Sequence, residues 1–186
     1  AEDVLGIICN NQANVALIQH HHEQALALAE QSAALQEQIG PGRGLAISLA
    51  TLGQILVRLG QLERAEQVLH RALQVRSQIQ FHEITGAVFD TLAEIALMRG
   101  GYESAGDYLR KAGEAYGGYG AQTSLWYEWS IRVLEAKLAA RRGSTEEAIR
   151  LANEIATSTT APPVEAIQGD LIACEALLGA GRAAEA

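Results

Sequence analysis

Apolar residues recur at three- and four-residue steps along most of this chain, the spacing that puts them on one face of an α-helix. The pattern is clearest between Ser48 and Leu73. Leu49, Leu52 and Leu56 share one face, Gly60 breaks the run, and Ala65, Val68, Leu69 and Ala72 make a second stripe. The stretch predicts two amphipathic helices joined by a tight turn. Its alanines let the helices cross closely. Neither stripe can be buried by one hairpin alone, so the hairpin requires neighbours.

The same pattern predicts those neighbours. A first helix from Asp3 to Gln19 carries Leu5, Ile8, Val15 and Ile18, with Cys9, Ala13 and Ala16 at repeat positions. After His20-His21-His22 comes a helix with Ala25, Leu28, Ala29 and Leu35, stopped by Gly40-Pro41-Gly42. Ile84, Val88, Phe89, Leu92 and Ile95 mark another first helix, and Ala105, Tyr108, Leu109 and Ala112 its partner. A flexible connector is expected at Tyr116 to Gly120. A long helix ends near Arg142, Ser144 or Thr145 caps the next, and Glu146-Glu147 suit its first turn. Ser158 to Pro163 reads as a linker before a last helix from Val164 to Leu178.

Aligned on the small residue of each second helix, the chain places Ala25, Ala65, Ala105, Ala148 and Ala186 about 40 residues apart. The alignment resembles the tetratricopeptide repeat. Leu49, Leu52-Gly53, Leu56, Gly60, Ala65, Leu69 and Ala72 fall on its motif positions. Phe89, Leu92-Ala93, Ala96, Gly100, Ala105, Leu109 and Ala112 fall on them again. The period exceeds the ~34 residues usual in that family. The resemblance implies an all-α fold, a right-handed superhelical array of antiparallel hairpins with about 4.5 repeats. As a single domain it divides into repeats at about 1–42, 43–80, 81–120 and 121–160, with a partial repeat over 161–186. The closing Gly181 to Ala186 stands where Gly60 to Glu66 stood before, so the sequence is expected to be part of a longer protein.

Charge narrows the partners. A net charge of −8 over 186 residues disfavours nonspecific binding to nucleic acid or anionic membrane. No apolar run is long enough to span a bilayer, and the residues from Ala1 do not show the charged-then-apolar pattern expected of a leader, which processing would remove. Cys9 and Cys174, in the first and last repeats, are expected to be reduced thiols of a cytoplasmic protein.

No catalytic constellation emerges. Gly40 to Gly44 lacks the Lys-Ser/Thr ending of a phosphate loop, and there is no His-Glu-x-x-His pair or nucleophile elbow. Adjacent histidines on a helix diverge, so His20, His21 and His22 are read as polar turn residues; no metal or other cofactor is expected.

The concave face of the array is the candidate site. By resemblance, the first helices line a groove through Asn10, Asn14, Leu17 and Ile18, then Ile47, Ala50, Gln54, Val57 and Arg58. Asp90, Glu94, Leu97 and Met98 follow, then Val133, Lys137 and Arg141. The partner-binding set is therefore Asn10, Asn14, Gln54, Arg58, Asp90, Glu94, Met98, Lys137 and Arg141. Asp90 and Glu94 share a face, as do Lys137 and Arg141 one repeat later, which suggests a groove acidic on one side and basic on the other. The lysines of a chaperone-tail clamp are absent, with Thr51, Ala87 and Thr91 at matching sites. Trp126, Tyr127 and Trp129 are expected mainly in the core, with a partner anchor as the alternative.

These readings imply a noncatalytic protein- or peptide-binding scaffold. By resemblance it is the regulatory or sensor arm of a larger bacterial regulator of transcription or signalling. Two alternatives are an inducer-sensing domain and a self-association module acting through uncapped ends.

Overall fold

The computed structural model describes residues 2–79, 84–117 and 121–181, the side chains of 121–127 excepted. Among these residues every regular element is a helix. They are α1 (Glu2–Ile18), α2 (His22–Ile39), α3 (Arg43–Arg58), α4 (Leu62–Ile79), α5 (Thr85–Met98), α6 (Tyr102–Gly117), α7 (Ala121–Arg141), α8 (Thr145–Ala156) and α9 (Pro163–Gly179). The fold is the all-α hairpin array expected from the periodicity. The junction near Gln80, the connector at Gly118–Gly120 and the motif position at Ala186 lie outside the described residues.

One turn recurs within the hairpins. His20, Gly60, Gly100, Gly143 and Gly181 all have positive φ, between 60° and 76°. The residue after each of the first four donates its N–H back across the turn. His21 reaches the Ala16 carbonyl, Gln61 Leu56, Gly101 Ala96 and Ser144 Ala139, all at 2.8–2.9 Å. This is the Schellman closure, which satisfies carbonyls left open at a helix end. The repeat alanine, in the first turn of the second helix, then makes that helix's first backbone hydrogen bond. Ala25, Ala65, Ala105 and Ala148 each donate to the carbonyl of that same post-turn residue at 2.9 Å. Ser144 therefore serves the next helix with its carbonyl, and its side chain makes no cap hydrogen bond, unlike the expected N-cap. Pro163 opens α9, where a missing N–H costs nothing.

His20 is the exception, at φ 60° where the other turns have glycine. A side chain with a Cβ is strained there by roughly 1–2 kcal/mol. His20→Gly is expected to raise stability by about 1 kcal/mol in chemical denaturation. A loss instead would show that the edge contact between the His20 and His22 rings, 5.9 Å between centroids, outweighs the strain.

The described residues group into two compact units, Ala1–Thr91 and Leu92–Ala186, taken separately below. In the first, α1 packs on α2, α3 on α4, and α3 also on α1 and α2. The expected repeat residues are buried: Cys9, Ala13, Ala25 and Ala29, then Leu49, Leu52, Leu56, Ala65, Leu69 and Ala72. A polar seam crosses this apolar packing. The Ser32 hydroxyl donates to the Gly6 carbonyl at 2.8 Å and shares a 2.7 Å hydrogen bond with Ser48. Gln36 Nε2 donates to the Asp3 carbonyl and carboxylate at 3.2 and 3.1 Å. Gln36 fits because Gly6 and Gly44 leave room; a Cβ on either would lie 2.5 or 2.0 Å from its amide. On the surface, Arg64 pairs with Glu30 and Arg71 with Glu37, tying α4 to α2.

In the second unit α6 packs on α7, and α7, α8 and α9 pack on one another. Ala93, Ala96, Ala105, Leu109, Leu134 and Leu138 form one core cluster of α5, α6 and α7. Val133, Ala136, Ala148, Ala152, Ile155 and Ile172 belong to another, of α7, α8 and α9. Not every aliphatic residue is inside. On α1, Leu5, Ile8, Val15 and Ile18 are exposed, and the outward face of that helix is oily.

Candidate functional site

The expected groove residues all lie on first helices. On α1 and α3, Asn14 and Gln54 are half-buried, and Arg58 is exposed at the end of α3. Asn10 and Asp90 are buried, at 7% and 8% exposure, so neither is presented to a partner as an open side chain. Of the acidic pair on α5, Glu94 is the member that opens to a cavity.

That cavity belongs to the second unit and has a volume of about 260 Å³. Its charged groups are Glu94 from α5, Lys137 and Arg141 from α7, and Glu175 from α9. Leu97, Met98, Leu134 and Ile172 supply the apolar surface between them. Four members of the expected partner-binding set therefore meet in one cleft, Glu94, Met98, Lys137 and Arg141, together with the groove residue Leu97. Helical spacing explains this. Glu94 and Met98 are one turn apart on α5, and Lys137 and Arg141 one turn apart on α7. Lys137 Nζ donates to Gln168 Oε1 on α9 at 3.2 Å. Arg141 is exposed at the carboxyl end of α7, where the helix dipole favours a cation. Met98 is 56% exposed, a large apolar side chain left at the rim.

Sequence reasoning missed Glu175 and Ile172. The signal was present. Glu94, Lys137 and Glu175 each stand six residues before the positive-φ turn glycine of their own hairpin, so the same register carried into the last helix finds Glu175.

Two carboxylates, two cations and an apolar floor can pair charges and cover an aliphatic side chain. No Ser, Cys or His stands among the lining residues, so the cleft brings no nucleophile beside a base. Among the described residues no His, Cys, Asp and Glu cluster is arranged to hold a metal ion. Cys9 is buried and Cys174 half-buried, and neither is in a disulfide.

A larger hollow, about 640 Å³ between α7 and α8, is of a different kind. Its arginines are already engaged. Arg150 pairs with Glu147 at 2.7 Å and with Glu154, and Arg132 reaches Glu128 and Glu154 at 3.3 Å. Arg142 donates to the Tyr102 carbonyl at 2.7 Å. The hydrogen bond from Arg150 holds the Glu147 carboxyl below the usual range. Burial pushes Glu135 the other way, against the pull of Arg132. This is a surface lattice binding the helices to each other. Trp129 sits beside it, half-buried against the α7–α9 core, with the Arg132 guanidinium 5.7 Å from its ring. The side chains of Trp126 and Tyr127 lie outside the described residues.

Comparison with known proteins agrees with the architecture. The profile of the family described as tetratricopeptide repeat matches residues 5–78 and 46–117, together more than half of the chain. No curated protein matches the sequence. Among solved structures, the chain is similar to nearly identical TPR-like repeats described as those of a kinesin light chain from Podosopora anserina. The TM-score is 0.66 at 15% identity, over 100% of this chain and 90% of that one, a likeness of fold. No described helix is long and apolar enough to cross a membrane. Tetratricopeptide repeats serve generally as noncatalytic scaffolds for protein–protein interaction. With its recurring left-handed turns, its buried repeat alanines and the profile match over most of its hairpins, the chain belongs to the tetratricopeptide repeat family.

Proposed function

We propose that this chain is a scaffold that holds a peptide or protein partner against its first helices, within the cytoplasm, as the regulatory or sensor arm of a larger bacterial regulator. The observation that carries the binding role is the cleft of Glu94, Met98, Lys137, Arg141 and Glu175. It offers charge of both signs around exposed apolar surface, which suits a segment carrying an aliphatic residue between polar ones. In the first unit, taken by itself, Asn14, Gln54 and Arg58 are the proposed partner-facing residues of α1 and α3. The regulatory placement rests on the ~40-residue, alanine-rich repeat, which resembles the arrays of bacterial multidomain regulators.

Peptides selected on the chain from a random library test this directly. Arg141→Glu with Lys137→Glu is expected to weaken a selected peptide about tenfold or more in fluorescence anisotropy, while thermal stability changes little. Unchanged affinity would remove the cleft from the proposal.

The inducer-sensing alternative has one observation in its favour. A second cavity, about 320 Å³ in the first unit, is lined by Asp3, Ile7, Asn10 and Asn11 of α1 and by Arg43, Gly44, Ile47 and Ser48 of α3. It is largely apolar and reaches the size of a small-ligand site. A thermal-shift screen with metabolites separates the two readings.

A further inference from the structure

The cavity between α1 and α3 is walled by two helices that pack on each other within the first unit. Asp3, Ile7 and Asn10 follow one another on one face of α1, about 10 Å from first to last at the rise of an α-helix. Arg43, Ile47 and Ser48 follow likewise on α3. Asp3 and Arg43 are exposed, whereas Asn10 and Ser48 are buried, at 7% and 2% exposure. Along each helix the order is therefore a charge, an isoleucine and a buried neutral polar side chain.

The buried end lacks a donor. Asn10 Oδ1 is sealed from solvent and accepts no hydrogen bond, a costly state for a buried carbonyl oxygen. The Ser32 hydroxyl spends its only hydrogen on the Gly6 carbonyl at 2.8 Å. Ser48 must then be the donor in the 2.7 Å bond between the two hydroxyls. Its hydrogen is used and its accepting capacity remains. Nor does the fold need a polar group at Asn10. Counted from the turn, the equivalent residue in the next repeat is Ala50, also buried.

We propose that this cavity binds a small aliphatic primary ammonium ion, with its charged end on Asn10 Oδ1 and Ser48 Oγ and its hydrocarbon between Ile7 and Ile47. An ammonium group brings three donors and no lone pair, so it meets acceptors without adding one of its own. A hydroxyl brings one donor and two lone pairs, and a carboxylate no donor at all. Charge agrees, since Asp3 offsets Arg43 within the lining and the net charge of −8 favours a cation. This ligand class deepens the inducer-sensing alternative and rests on it.

Isothermal titration calorimetry with n-butylammonium chloride, and with n-butanol as its uncharged counterpart, tests this on the wild type, Asn10→Leu and Asn10→Asp. The ammonium is expected to bind the wild type about tenfold or more tighter than the alcohol. Asn10→Leu removes the acceptor and keeps the volume, so it should weaken the ammonium about tenfold or more. Asn10→Asp charges the acceptor and should tighten it about tenfold, a gain that a merely structural Asn10 would not give. Circular dichroism melts report whether each variant is folded, and the wild-type comparison stands where one is not. Equal affinity for the alcohol overturns the proposal. So does ammonium binding unchanged in Asn10→Leu, which would mark attraction to the acidic surface. If the ammonium fails to bind while a metabolite of another class raises the melting temperature in the wild type and not in Asn10→Leu, the ligand class falls and the sensing alternative stands. If nothing binds, both fall.

Discussion

Replacing Leu69 with alanine is expected to lower stability by about 2–5 kcal/mol. Leu69 is fully buried on α4, and its methyl groups lie over Gly53 of α3. A Cβ built on Gly53 would fall 2.5 Å from Leu69 Cδ2. The pair is thus a knob and the hole cut for it, and truncating the knob leaves the hole empty. Gly53→Ala alone overpacks the same point and is expected to cost about 1–3 kcal/mol. The double variant supplies part of the volume the first removes, so it should lose less than the two single losses combined. Chemical denaturation of the four proteins gives the coupling. Strict additivity would mean that Leu69 and Gly53 do not share a site.

Gly169→Ala is expected to cost about 1–3 kcal/mol, against the general preference of helices for alanine over glycine. Gly169 is buried on α9. A Cβ there would lie 2.7 Å from the Ala152 carbonyl oxygen and 3.0 Å from the Ala156 nitrogen. Both are backbone atoms of α8, which cannot rotate aside as a side chain can. The helices must separate, and Ile155 and Ile172 lose packing with them. Gly179, at the end of the same helix, has nothing within 4 Å of its Cβ position. Gly179→Ala is the control and should be neutral or slightly stabilising. Denaturation midpoints that fall equally in both variants would place α9 elsewhere than against α8.

The hairpins were legible because their grammar is local. Leu49, Leu52, Leu56, Ala65 and Leu69 announce helical faces by spacing alone, and Gly60, Gly100 and Gly143 announce turns. His20 was not legible as a left-handed turn residue, since three adjacent histidines carry no signal for positive φ. Nor was the Gln36 seam, which depends on Gly6 and Gly44 arriving from two different helices at one amide. The candidate cleft was partly legible. A surface position repeats with the period, so Glu94, Lys137, Met98 and Arg141 could be placed on shared faces. What periodicity alone does not reveal is how far a neighbouring helix covers a position, which is why Asp90 reads as open in sequence and is buried in the fold.

Every packed pair of helices among the described residues joins elements adjacent or next but one along the chain. Closing such short loops costs little chain entropy, and topologies of this kind fold quickly. Within each unit, helices emerging from the ribosome therefore meet their described partners in chain order, soon after leaving the exit tunnel.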